Sequence, residues 1–258
     1  MRHVFVLLLT TLAAAQQATA PAAAPSSFGT VQAPPATYRF PLNQTLSYTS
    51  DWRLFTAGTA TIRVEAAGRE HRILTSADAT GAVSVLYHVH DSVESFIDPQ
   101  TFCSRSVTKH TEEGLRRLDT NIVFDYTRKK SVLDETNLKD KKKKREENDI
   151  PACVTDVVSS IFYIASLPLA ANATYAFPLN DGGKTAQVNV AVEGREELKL
   201  PAGTYKTVRV RISSNTGKLK EKGAIWIWYS DDDKRLPVQM KARMFWGTLL
   251  FRLQKPPA

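Results

Sequence analysis

From Leu46 onward, apolar and polar residues alternate along most of the chain, the period of a strand with one face buried. Thr59 to Glu65 alternates, Ala67-Gly68 offers a turn and His71 to Ala77 returns, which is the pattern of a hairpin. Val188, Val190 and Val192 share one face, and Val208, Val210 and Ile212 oppose Arg209, Arg211 and Ser213. Asp181-Gly182-Gly183 and Asn215-Thr216-Gly217 supply residues that adopt positive φ cheaply, so both are expected hairpin tips. Read in this way the chain contains about ten to twelve strands.

One segment breaks the period. Val154, Val157, Val158, Ile161, Phe162 and Ala165 recur at helical spacing between Pro151 and Pro168, which predicts one amphipathic helix over about 154–166. Its polar face would carry Asp156, Ser159 and Ser160, and its apolar stripe would lie against the sheet or in a barrel mouth. The expected fold is therefore mainly β: a large curved antiparallel sheet, or a partly open β-barrel, with one covering helix.

The N-terminus differs in kind. Arg2 and His3 precede an apolar run from Val4 to Leu12, and Ala13-Ala14-Ala15 follows, the layout of a cleavable secretory signal over residues 1–15. The run is about half the roughly 20 residues that a membrane-spanning helix needs. Residues 16–37, rich in Ala, Pro, Gln, Ser and Thr, read as a linker, and 38–258 as a single β domain. The expected product is soluble after cleavage and either periplasmic or secreted.

Export changes the reading of Cys103 and Cys153, because an oxidising compartment favours pairing of an even count. A disulfide between them is expected, the alternative being two separate buried thiols. The formal charge of +8 would suit nucleic acid or another anionic partner, and export argues against nucleic acid. Much of the excess sits in Lys139 to Arg145. There Lys141, Lys142, Lys143, Lys144 and Arg145 form a run that reads as a solvated loop able to bind an anionic envelope component.

The aromatic residues suggest a second site. Trp226 and Trp228 share one face of a strand, Ile225, Ile227 and Tyr229 the other, and Phe245 and Trp246 lie on the next strand. Two apolar faces mean either core packing under the helix or an apolar groove for a lipid or other hydrophobic molecule. In the second case Trp226, Trp228, Trp246, Phe162 and Tyr163 would line it.

Catalytic and metal motifs are weak. His88-Val89-His90, near Asp91 and Glu94, lacks a third ligand at a supporting spacing. Ser159, three residues after Asp156, fits a helix cap better than a nucleophile. Asp231-Asp232-Asp233 has no EF-hand spacing and reads as a solvated turn. No cofactor or metal is expected, and the chain reads as a binder or scaffold rather than an enzyme, with an enzyme built on a dispersed site as a further alternative.

Several phrases together resemble the exported bacterial family known as domain of unknown function 3108. They are Ser84-Val85-Leu86-Tyr87 with Glu94-Ser95-Phe96-Ile97-Asp98-Pro99, then Asp156-Val157-Val158-Ser159 running to Phe162-Tyr163. Leu200-Pro201-Ala202-Gly203-Thr204-Tyr205 follows, and then Ser230-Asp231-Asp232 leading to Arg235-Leu236-Pro237-Val238. The resemblance spans Leu46 to Leu253 and implies a single periplasmic or secreted β domain, with no catalytic residues to carry over. The architecture is also similar to that of periplasmic lipoprotein carriers, whose curved sheets hold a helix. The lysine run is longer than the family pattern, so the resemblance implies no role for it.

Overall fold

The computed structural model describes residues 28–52, 55–214, 223–244 and 247–256. The expected signal, the first part of the linker, the Asn215-Thr216-Gly217 tip, Phe245 and Trp246 lie outside these residues. Among the described residues the period-two segments form fifteen strands in one sheet. The first half of the chain gives β1 (Thr45–Trp52), β2 (Phe55–Ala67), β3 (Glu70–Ala79), β4 (Val89–Ile97), β5 (Ser104–Glu113), β6 (Arg116–Asp125), β7 (Lys130–Asn137) and β8 (Lys143–Asp149). The second gives β9 (Thr155–Asp156), β10 (Thr174–Asp181), β11 (Lys184–Leu200), β12 (Gly203–Ser214), β13 (Ile225–Ser230), β14 (Pro237–Met244) and β15 (Gly247–Leu253).

The order across the sheet is β8-β7-β6-β5-β4-β3-β2-β1-β15-β14-β13-β12-β11-β10-β9. Two antiparallel meanders thus run outward from β1, which pairs with β2 on one side and β15 on the other. At the far edge β9 pairs in parallel with β10.

Strand twist accumulates across so many strands, and bulges at Ser50/Asp51, Phe96/Ile97 and Val192/Gly194 bend the sheet further. The sheet therefore curls into a barrel-like form. β8 and β9 do not pair, yet the two ends meet, for the Ser131 hydroxyl donates to the Gly183 carbonyl at 2.7 Å. Gly182 and Gly183 have φ of 62° and 80°, as the predicted Asp181-Gly182-Gly183 tip requires. A Cβ on Gly183 would sit 3.1 Å from that of Leu133, so the same glycine also permits the close approach of the two ends.

Helix α2 (Val157–Ser166) lies inside the curl. Inward residues of β1–β4 and β10–β15 share one core cluster with it, among them Tyr48, Val64, Ile73, Ile97, Phe177, Val190, Val210, Ile227, Tyr229 and Leu253. A smaller cluster of Val107, Ile122, Phe124, Leu133, Ile150 and Val154 fills the far side. The Tyr229 hydroxyl donates to the Ile161 carbonyl at 2.7 Å and that of Tyr48 to the Pro237 carbonyl at 2.7 Å. Burial pushes both phenols well above their usual range, so they remain neutral donors.

The helix differs from the expected one in two respects. It starts at Val157 because Thr155 and Asp156 pair with Leu179 and Asn180 as β9, and Asp156 then caps it. Its polar face is also buried, which the spacing does not predict, Asp156 being 3% exposed. The Asp156 carboxylate accepts from the hydroxyls of Ser95 and Ser104, each at 2.6 Å, and from that of Ser159. It also takes the backbone N–H groups of Val158 and Ser159 at 2.9 and 3.1 Å. Five donors on one carboxylate satisfy a buried charge that would otherwise be costly.

Three further differences from the expectation concern the chain between these elements. A short helix, α1 (Gly81–Leu86), connects β3 to β4 where none is predicted. The lysine run is only partly a loop, since Lys143, Lys144 and Arg145 open the edge strand β8. Packed structure also begins before Tyr38: Val31 rests on the core and the Gln32 N–H donates to the Tyr163 hydroxyl at 3.2 Å. A Cβ on Gly29 would collide with the Ala176 carbonyl oxygen, so only glycine lets this segment lie so close to β10.

Cys103 and Cys153 are joined by the expected disulfide, which ties the end of the β4–β5 connection to the segment entering β9. Replacing Asp156 by Ala removes the cap and orphans three hydroxyls, and is expected to lower the unfolding free energy by about 3 kcal/mol in urea denaturation. Replacing both cysteines by Ser is expected to cost about 2–4 kcal/mol by the same measurement. A midpoint unchanged in either variant would contradict the role assigned here.

Candidate functional site

Alternation along β13 decides the fate of the aromatic set. Ile227 and Tyr229 point into the curl, so Trp226 and Trp228 point out of it. On that outer face the indole N–H of Trp228 donates to Glu196 Oε1 at 2.8 Å and that of Trp226 to Glu193 Oε2 at 3.2 Å. Arg209 pairs with both glutamates, at 3.0 and 3.1 Å, and the Lys241 ammonium stands 5.5 Å from the centre of the Trp226 ring. Two shallow depressions of about 310 and 330 Å³ flank Trp228 and Lys241.

Phe162 and Tyr163 lie on the opposite side of the sheet, fully packed. Tyr163 meets Phe102 and Phe177 edge-on, with ring centroids 5.4 and 4.7 Å apart. Trp226 and Trp228 are thus not brought together with Phe162 and Tyr163, although the sequence pattern groups all four with Trp246 along one groove. The sheet separates its tryptophans from its helix residues, and Trp246 lies outside the described residues. Long polar side chains lie against the outer indoles of β13.

The histidines form a ladder on the outside of β4 and β5. His90 Nδ1 lies 2.6 Å from Asp78, His110 Nδ1 2.6 Å from Asp119, and His88 Nε2 3.2 Å from Glu112. The Asp119 hydrogen bond raises the His110 pKa, and the Arg117 hydrogen bond holds that of Glu112 down. Glu112 also lies 3.4 Å from His110 Nε2, so each imidazole is engaged by at least one carboxylate, and among the described residues no group of three or more His, Cys, Asp or Glu is arranged to hold a metal. Ser159 is a buried cap rather than an exposed nucleophile. Asp232 spends its carboxylate on its own turn, accepting from Ser230, Lys234 and Arg235, while Asp231 pairs with Arg195 and Arg235.

What the fold does bring together lies at one end of the strands. The antiparallel order puts the start of β2, helix α1, the β5–β6 tip and the β7–β8 turn side by side there. Thr80 N–H donates to the Ala57 carbonyl, Gly114 N–H to His88 and Leu138 N–H to Arg117, linking these tips in series. Along this rim Phe55 is 68% exposed, Val85 and Leu86 86% each and Leu115 84%. Tyr87 is half-exposed and lies over Gly114. Helix α1 buries none of its residues.

The lysine run joins the same rim. Its turn holds Lys139, Asp140, Lys141 and Lys142, and β8 begins at Lys143. Lys142 pairs with Asp140, Lys144 with Glu146 and Arg145 with Asp134. Lys139, Lys141 and Lys143 are exposed and have no carboxylate partner among the described residues.

Sequence reasoning misses the apolar half of this rim. A signal was available in Glu113-Gly114-Leu115-Arg116, where a leucine occupies a hairpin tip that turn chemistry reserves for polar residues. No helix among the described residues is long and apolar enough to cross a membrane.

Comparison with known proteins bears on the fold. A crystal structure of a beta-barrel-like protein of domain of unknown function DUF1849 from Brucella abortus is similar, with a TM-score of 0.58 at 9% identity over 88% of this chain and 98% of that one. A protein with a YmcC-like fold from Bacteroides fragilis matches more loosely, with a TM-score of 0.37 at 8% identity over 84% of this chain and 97% of that one. Among curated proteins none matches. The family model described as protein of unknown function (DUF3108) matches residues 47–254, nearly the whole sheet, and the chain belongs to that family.

Proposed function

We propose that this chain is an exported, non-catalytic module of the cell envelope that docks through its rim onto an anionic surface. The observation that carries the reading is the set of exposed lysines at positions 139, 141 and 143, held by a hairpin at the same end as the exposed apolar tips. A flexible loop of like charges would spread them; pairing of β7 with β8 instead fixes their spacing. Export rests on the N-terminal pattern of Arg2, His3 and the apolar run after them.

A lipid or other hydrophobic small molecule held in the concavity has less support, because α2 and the inward side chains occupy that space. The outer depressions beside Trp228 mix Trp226 and Leu250 with Glu193, Arg209, Lys241 and Asp51, and they are shallow and open where an acyl chain needs an enclosed site.

The test uses washed envelopes from cells expressing the full chain. Wild-type protein is expected to stay with them at low salt and to leave as ionic strength rises. The variant Lys139→Gln, Lys141→Gln, Lys143→Gln is expected to bind about a hundredfold more weakly. Retention of that variant at wild-type level, insensitive to salt, would overturn the reading.

A further inference from the structure

We infer that the surface met by the rim is a lipid bilayer, and that Phe55, Val85, Leu86 and Leu115 enter its boundary between headgroups and acyl chains. The inference rests on the docking reading above and names its partner.

The argument begins with α1. A helix in a globular protein normally exists to bury one face, and this one fully buries no residue, leaves Val83 and Ser84 only partly covered and exposes Val85 and Leu86 almost completely. It is nevertheless held in place: the Thr80 N–H donates to the Ala57 carbonyl at 3.0 Å, and the Tyr87 ring packs over Gly114. Single exposed leucines need no explanation, but four large apolar residues at one end of a molecule do.

The shape of the feature separates lipid from other anionic partners. The apolar residues stand on separate tips, at the start of β2, on α1 and between β5 and β6, instead of forming one groove for a partner's side chain. An anionic polysaccharide offers no apolar phase to receive them. A bilayer receives scattered apolar tips to a depth of about 5–10 Å while its headgroup phosphates attract flanking cations.

The charge is arranged to match. Arg116 and Arg117, beside Leu115, are largely neutralised by Glu113 and Glu112, so the attraction falls to the lysines of the neighbouring turn. Those lysines sit one hairpin further along, level with Leu115 through the bond from Leu138 to Arg117. Tyr87, half-exposed with a polar tip, is suited to the headgroup level.

The experiment measures partitioning of the full chain into vesicles of phosphatidylcholine alone and of phosphatidylcholine with about 30 mol % phosphatidylglycerol. Dextran sulfate serves as a charged support without an apolar phase. Wild-type protein is expected to bind the phosphatidylglycerol vesicles and dextran sulfate, and the neutral vesicles poorly. The variant Leu86→Ser with Leu115→Ser, both at exposed positions, is expected to lose about tenfold on vesicles and nothing on dextran sulfate. If that variant equals wild type on vesicles while the three-lysine variant loses binding, apolar insertion is overturned and docking stands. If wild-type protein ignores vesicles yet remains with envelopes, the partner is anionic but not lipid. If the three-lysine variant binds envelopes and vesicles as wild type does, the docking reading itself falls.

Discussion

The carboxylate of Asp156 joins the two halves of this molecule. Asp156 stands at the edge of the second meander, paired through β9 with β10, and it opens the helix that fills the curl. Through Ser95 and Ser104 it also holds β4 and β5 of the first meander. A fifteen-stranded sheet has no intrinsic reason to stop curling at one particular radius. The fixed distance from a helix start to two serines supplies one, and the Cys103–Cys153 bridge beside it limits how far the two parts can separate.

With the radius set, each strand has an inside and an outside of different character. The inside is Val, Ile, Leu and aromatic, and the helix completes it. The outside is a lattice of cross-strand ion pairs, such as Arg72 with Glu94, Arg209 with Glu193 and Arg252 with Asp51. Individually such exposed pairs contribute little to stability. Their service is to lay long aliphatic stems over the sheet, so that Trp228 can be 7% exposed on the outer face.

Period-two alternation reveals most of the strands because their inner face is largely apolar and buried, and one residue of slip would bury the charges. The helix was visible for the related reason that its apolar spacing lies between two prolines. What sequence alone hides is which surfaces meet. Trp226 and Phe162 both read as apolar and aromatic, and only the pleat puts a sheet between them. The lysine run reads as a loop because like charges repel, yet Asp134, Glu135, Glu146 and Glu147 on the two strands of the hairpin offset that repulsion. Helix α1 escapes notice because six residues are too few for a periodic signal and because it fully buries no residue that would impose one. The rim was therefore half legible, its cations plain and its apolar tips concealed among ordinary turns.

The pairing of β1 with β15 bears on the order of events as the chain emerges. Tyr48 faces Leu253 across a ladder in the middle of the sheet, so the first strand made is completed by the last. Contacts of such long sequence separation form slowly. Until the final hairpin arrives, β1 presents an open edge of backbone donors and acceptors to any neighbouring chain. A ribosome or translocation channel that releases this protein early therefore releases it with its centre, not its margin, unsealed.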